Sequence, residues 1–239
     1  MEQLKFALGP YELFASVLGG LPLSIALLIT FGSGSTLQNA ITLFQSGLSI
    51  QTVILGAVAS YLIGGLFQGI TWRFFLLLCR LSKRVPYYFD ENAIRQWRVA
   101  PQPSALSEPP TFEHRLVALL DKHMGIPPRL SWLDARLQSY LKENNRPSAV
   151  TADMFQASHI MYRNLCFGLV AIALTLPTLL VRSQISPLGA LGGVMGALGL
   201  AYVAFYRALS FKRWHQRELI LGFYFAVTGL NGETDDIRP

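Results

Sequence analysis

The side chains best suited to chemistry in this chain are a few histidines and cysteines, and they are widely scattered. They are His114, His123, His159, His215, Cys79 and Cys166. None stands at a metal-ligand spacing from another histidine, cysteine or carboxylate. The chain also contains no phosphate-binding glycine loop, no G-x-S-x-G elbow and no H-E-x-x-H motif. We therefore expect a non-enzymatic protein with no cofactor and no metal.

One carboxylate stands at the start of the first apolar run. Glu12 follows Gly9-Pro10, which suits the beginning of a helix. A carboxylate in the first turn is favoured by the helix dipole and can reach water at the headgroups. The alternative is a carboxylate on an ion pathway, because ionisable residues inside membranes are commonly functional. Both interpretations stay open.

The composition is that of a membrane protein. The chain has 239 residues, of which 51% are hydrophobic and 14% charged, and its mean hydropathy is +0.37. Soluble domains carry about 25% charged residues, so the deficit indicates apolar surface that faces lipid. The net charge of +6 is best explained by cations at cytoplasmic helix ends. No direct nucleic-acid binding is predicted.

Apolar runs predict an all-α polytopic membrane protein with four spans in two hairpins. A bilayer core of about 30 Å requires about 20 apolar residues in a helix. The first hairpin occupies residues 1–84, with spans at about 11–31 and 52–79. The second occupies residues 151–206, with a helix that begins at Ala152 and spans at about 165–181 and 187–206.

Cations and aromatic residues set the expected orientation. The segments WRFFLLLCRLSKR and FYRALSFKRWHQR each follow a span and are basic and aromatic. By the positive-inside rule such segments face the cytoplasm. We therefore expect a protein of the cell's inner membrane with both termini on the cytoplasmic side. The predicted cytoplasmic interface residues are Arg73, Arg80, Lys83, Arg84, Lys212, Arg213 and Arg217.

A helical cytoplasmic insert, residues 85–150, separates the hairpins and contains a proline-rich linker at 101–110. Its two amphipathic helices present Leu116, Leu120, Leu137 and Leu141, which we predict to bind a soluble protein partner. The alternatives are that the helices fold against each other or dock on the membrane.

Residues 207–239 form a basic amphipathic helix and a polar tail. The segment 219–227 is too short to span, so it lies along the membrane or packs on the insert helices.

Small residues predict close helix contacts and a homo-oligomer in the lipid bilayer. Small-xxx-small patterns let two helix backbones approach each other, and an amide side chain can add an interhelical hydrogen bond. The residues assigned to helix packing and oligomerisation are Gly64, Gln68, Gly189, Gly192, Gly193 and Gly196.

At GPYELFASVLGGLPLSIALL and SYLIGGLFQGI the chain resembles small four-span bacterial proteins that serve as membrane subunits of phage-defence systems. The layout of two hairpins, a helical insert and a basic C-terminal helix is also similar. This resemblance implies a membrane sensor or effector that works with a soluble cytoplasmic partner or permeabilises the membrane. The alternative function is a small channel or permease subunit for an ion or solute.

Overall fold

The computed structural model describes residues 10–32, 42, 49–87, 112–125, 130–182 and 184–230. Within these residues the secondary structure is helical throughout, as predicted. The helices are α1 (Pro10–Phe31), α2 (Ile50–Leu66), α3 (Gln68–Leu81), α4 (Phe112–His123), α5 (Leu130–Glu143), α6 (Pro147–Val181) and α7 (Pro187–Leu230). The side chain of Glu12, the proline-rich linker 101–110 and the polar tail 231–239 lie outside the described part.

Among the described residues, two helices are long and apolar enough to cross a membrane, Pro147–Val181 and Pro187–Gly229. Helices α2 and α3 pass the same test as a pair, so the number of spans rises to three if that pair is one broken span. The apolar part of α1, Ala15–Phe31, is shorter. Helices of this length and composition indicate a membrane protein.

The second predicted span, 52–79, is not one straight helix. It divides at Phe67, where α2 and α3 meet at an angle of 60°. Two backbone hydrogen bonds bracket the break, because Phe67 donates to Ile63 and Thr71 donates to Phe67. Glycines on both sides of Phe67 explain the position of the bend, since glycine weakens helix interiors and marks sites of kinking.

The chain forms two compact units, each built from two stretches of sequence. Unit 1 comprises Met1–Arg84 and Gln156–Phe211, and unit 2 comprises Val85–Phe155 and Lys212–Pro239. The N-terminal part of α6 and the C-terminal part of α7 therefore belong to unit 2. The remaining segments of these two long helices belong to unit 1.

In unit 1, α1 and α2 cross with their backbones almost in contact. A Cβ atom added at Gly20 would stand 2.0 Å from the carbonyl oxygen of Ser60, and one at Gly64 would stand 2.5 Å from that of Ser16. The Ser24 and Ser60 hydroxyls are 3.4 Å apart beside this crossing. Only glycine permits such an approach, which is the small-residue packing typical of membrane helices.

The rest of unit 1 is held by α3, α6 and α7. Phe75 and Cys79 of α3 pack with Cys166 of α6 and with Ala204 and Phe205 of α7. Every helix of this unit exposes large apolar side chains; examples from three of them are Leu18, Val53, Leu55, Leu191 and Val203, each about half exposed or more. A soluble protein rarely exposes so much contiguous apolar surface, so this unit is suited to lipid.

Arg182 ties the end of α6 to the end of α1. Its guanidinium donates hydrogen bonds to the carbonyl oxygens of Ile29, Thr30 and Gly32 at 3.0–3.3 Å. The last carbonyls of a helix lack partners within the helix. Arg182 satisfies them and places its positive charge at the negative end of the α1 dipole.

Unit 2 has its own apolar core, and this core changes the expected partner surface. The four leucines assigned to a partner, Leu116, Leu120, Leu137 and Leu141, are 0–2% exposed. They pack on each other and on the C-terminal part of α7. The apolar stripe of the insert is therefore covered by the chain's own helix and is not available to a partner. Residues 219–227 pack on the insert helices, which was one of the two alternatives expected for them.

A buried ion pair joins α5 to α7 in unit 2. The Lys212 ammonium lies 2.9 Å from a carboxylate oxygen of Asp134. Gln216 donates to both oxygens of the same carboxylate. Lys212 is 7% exposed, so its assignment to the membrane interface is wrong. Its charge can leave water because Asp134, distant in sequence, supplies the counterion.

The turn between α5 and α6 follows local rules. Asn145 has a positive φ of 50°, a conformation that asparagine adopts more readily than most residues. The Arg146 N–H then donates to the Leu141 carbonyl and closes α5. Pro147 takes the first position of α6, so this helix begins five residues earlier than the predicted start at Ala152.

Candidate functional site

The other predicted interface cations take three kinds of position. Arg73, Arg80, Lys83 and Arg217 are exposed. Arg84 is also exposed and lies 5.9 Å from the ring centre of Tyr206. Arg213 donates two hydrogen bonds to the carbonyl oxygen of Val85 and helps to close unit 2. Exposed cations of this kind are solvated or contact headgroups, and they build no enclosed site.

Some of the predicted packing residues contact other parts of the same chain, and others face open space. Gly64 is buried in the α1–α2 crossing, whereas Gln68 is exposed on α3 beyond the bend. The two therefore do not share a helix face, and the interhelical contact expected from them involves Gly64 alone. A Cβ at Gly193 would meet Leu176 of the same chain at 3.0 Å, and one at Gly189 would meet Ser186 at 3.2 Å. Gly192 and Gly196 face open space.

The most unusual residue of unit 1 is Arg163, on α6. It is 5% exposed, and its guanidinium carbon lies 5.5 Å from the ring centre of Trp72 on α3. A cation over an aromatic face is stabilised, most strongly over tryptophan. Nε and Nη2 of Arg163 are fully buried and have no hydrogen-bond partner in the described part of the chain.

Asn164, the next residue on α6, points at the same stretch of α3. Its Oδ1 lies 2.7 Å from the Thr71 hydroxyl, whose single proton is shared with the Gln68 carbonyl oxygen at 3.0 Å. Its Nδ2 is buried without a partner among the described residues. Gly19 of α1 makes room for this side chain, since a Cβ there would lie 2.8 Å from the Asn164 Cβ. Two consecutive residues of α6 thus present unused N–H donors beside Thr71 and Trp72.

His159 completes the surroundings of Trp72, one helical turn before Arg163. Its ring is fully buried and meets the rings of Trp72 and Phe75 edge to face, at 5.9 and 5.1 Å. Its Nδ1 lies 2.9 Å from the carbonyl oxygen of Ala208 on α7. His159 on α6 thus contacts both α3 and α7. These contacts support the structural role that a lone histidine usually has.

The net positive charge of the chain lies in unit 1. This unit contains eight lysines and arginines but only two acidic residues, Glu2 and Glu12. Unit 2 contains twelve basic and twelve acidic residues. The excess of +6 therefore belongs wholly to unit 1, and among its described side chains there is no carboxylate to pair with Arg163.

The group Arg163–Asn164 can bind an anion, and nothing in the described residues equips it for another chemistry. No set of three or more histidine, cysteine or acidic side chains is close enough to hold a metal within that part of the chain. Sequence reasoning missed this pair because an arginine just before an apolar run is ordinarily solvated. The available signal was an Arg-Asn pair directly before the apolar run 165–181, with no acid within four residues on either side.

The class of protein that these features define is an all-α membrane protein with a charged group enclosed in its helical unit. Comparison with known protein families, curated proteins and solved structures finds no significant match.

Proposed function

We propose that the chain is a four-span inner-membrane protein in which unit 1 crosses the bilayer and unit 2 is a cytoplasmic helical domain. The observation that carries this proposal is the contrast between the units. Unit 1 exposes apolar side chains on all its helices and has no charged residue from Leu13 to Trp72. Unit 2 has no net formal charge and contains a buried apolar core of its own.

The packing of α1 supports its assignment as the fourth span. With 22 residues, a helix is about 33 Å long, which matches the hydrocarbon core. It lies against α2 through Gly20, and against α6 through Gly19. A helix in backbone contact with two apolar helices has to share their depth, because none of the three exposes a charged side chain where they cross.

Reporter fusions test this topology. We expect fusions at Asn39 and Gln184 to be active only as extracytoplasmic reporters, and fusions at Ser104 and the C-terminus only as cytoplasmic ones. Each position is fused in turn to an enzyme that is active only outside the cytoplasm and to a fluorescent protein that matures only inside it. At every position one reporter should be active and the other inactive. A cytoplasmic Asn39 or an external Ser104 would rule out the two-hairpin arrangement.

Within that topology we assign the protein a non-enzymatic role as the membrane sensor or effector of a multicomponent system, with anti-phage defence as the process that the resemblance implies. The resemblance to membrane subunits of phage-defence systems supports this role, as does a folded cytoplasmic unit attached to the spans. A soluble partner would contact the outer surface of unit 2, since its core leucines are covered. Affinity purification in mild detergent should recover that partner from the native host at a fixed stoichiometry.

A channel or permease subunit is the second candidate, and the polar interior of unit 1 favours it. The Ser24–Ser60 pair, the Thr71–Asn164 hydrogen bond and Arg163 all lie inside the helical unit. Purified protein in liposomes separates the two functions. A permease conducts ions or solute without any companion, whereas a sensor subunit leaves the liposomes tight.

We expect assembly of copies through the open glycine face of α7. Replacement of Gly196 by leucine should abolish the oligomer, because Gly192 and Gly196 face open space one turn apart and leucine prevents a second helix from approaching. Cross-linking in native membranes and light scattering in detergent measure the oligomer. Gly56→Leu on α2, also open, is the matched control and should assemble normally. An intact Gly196→Leu oligomer would place the contact elsewhere.

A further inference from the structure

We propose that Arg163 and Asn164 form a binding site for a phosphate group. The proposal deepens the membrane assignment above and rests on it, since the site is placed at the cytoplasmic end of the third span. The shared chemistry is a phosphate oxyanion. Its source is either a phospholipid headgroup or a free phosphate, and the two are separated below.

The pattern of unused donors matches a two-oxygen acceptor. Nε and Nη2 of Arg163 are the two nitrogens whose N–H bonds point the same way along one edge of the guanidinium. Both are buried without a partner in the described chain, while Trp72 covers a face of the group. That edge binds two oxygens of one phosphate or carboxylate in parallel.

A third donor favours phosphate over carboxylate. The Asn164 Oδ1 is held by the Thr71 hydroxyl at 2.7 Å, which leaves Nδ2 as the free end of the amide. A carboxylate offers two oxygens, both of which the arginine edge uses. A phosphate has further oxygens that an amide N–H on the neighbouring residue can reach.

The position of Arg163 and Asn164 along α6 indicates where a phosphate ligand would come from. Arg163 and Asn164 immediately precede Leu165, where the apolar run 165–181 begins. In the proposed topology this is the level at which phospholipid phosphates lie, and Trp72 is an aromatic residue of the kind enriched there. Among the described side chains of unit 1 no carboxylate competes for the arginine, which favours an external anion as its counterion.

Binding is measured on the full-length protein, purified in a neutral detergent and stripped of lipid. The probes are dihexanoyl phosphatidylglycerol, inorganic phosphate and acetate, each followed by the thermal midpoint and tryptophan fluorescence. We expect Arg163→Met to weaken phosphate-probe binding at least tenfold. Arg73→Met removes an exposed cation one residue from Trp72 and should stay within twofold of the unmodified protein.

A second variant keeps the test decisive if Arg163→Met does not fold. Asn164→Asp has the same shape and still accepts from Thr71, but it replaces the Nδ2 donor by a negative oxygen. We expect at least a tenfold loss of phosphate-probe binding with a thermal midpoint, in the absence of ligand, no lower than that of the unmodified protein.

The outcomes are distinct. Binding of the phospholipid alone assigns the site to a headgroup, and binding of inorganic phosphate assigns it to a soluble ligand; both support the proposal. Acetate binding as tight as phosphate, or unchanged phosphate-probe affinity in both variants, overturns it. Reporter topology is measured separately, so failure of the membrane assignment is recognised independently of failure here.

Discussion

Replacement of Gly64 by alanine is expected to lower the free energy of unfolding of unit 1 by about 3 kcal/mol, near the upper end for an overpacked core. The added Cβ would stand 2.5 Å from the Ser16 carbonyl oxygen of α1. A backbone atom in a packed helix cannot rotate away as a side chain does, so α1 and α2 have to separate. Reversible unfolding in mixed detergent micelles, titrated with a denaturing detergent, measures the loss.

Gly65→Ala is the matched control for this effect. The two glycines are neighbours on α2, but a Cβ at Gly65 meets nothing within 4 Å. Alanine favours helix over glycine by up to about 1 kcal/mol, so this variant should be unchanged or slightly more stable. Equal stability of the two alanine variants would show that the α1–α2 crossing is looser than the structure describes.

Local chemistry explains what could be predicted from the sequence. Long charge-free runs predict apolar helices because only a helix satisfies its own backbone in lipid. The end of α5 ahead of Asn144-Asn145 and Pro147 likewise follows from adjacent residues, since asparagine tolerates positive φ and proline suits a helix start. In each case the residues that decide the outcome are adjacent in the chain.

Contacts between distant segments explain what could not be predicted. The leucine stripe of α4 and α5 shows that an apolar face must be covered. The spacing of the leucines does not show which segment or partner covers it. In the structure Leu219 and Phe223 of α7 supply it. A soluble partner was the expected cover because residues 219–227 could equally have rested on the membrane.

The candidate site was missed for a related reason. Arginine near a helix end is ordinarily solvated, and nothing adjacent to Arg163 signals burial. Its enclosure follows from Trp72 and Thr71, about ninety residues earlier in the chain, and from Gly19, which lets α1 approach Asn164. The glycines at 19 and 20 permit close approach of another helix, but the sequence alone does not determine which helix approaches them.

The second large effect is expected at the buried ion pair of unit 2. Asp134→Ala should lower the free energy of unfolding of this unit by about 3–5 kcal/mol, the range for breaking one side of a buried pair. The variant leaves the Lys212 ammonium, whose side chain is 9% exposed, without a counterion. Hydrogen exchange of the amides of α5 and of the C-terminal part of α7 reports the loss within the full-length protein.

The chain contains a matched pair that separates burial from charge pairing. Asp153 is paired with Lys142 and accepts a hydrogen bond from Gln138, as Asp134 is paired with Lys212 and accepts from Gln216. The side chains of Lys142 and Asp153 are 53% and 40% exposed, so Asp153→Ala should cost no more than about 1 kcal/mol. Adding Lys212→Met to Asp134→Ala should recover much of the lost stability, because the stranded charge is removed. Equal losses at Asp134 and Asp153, or no recovery in the double variant, would mean that Lys212 is hydrated in solution and that α7 is not held to α5 by an enclosed charge.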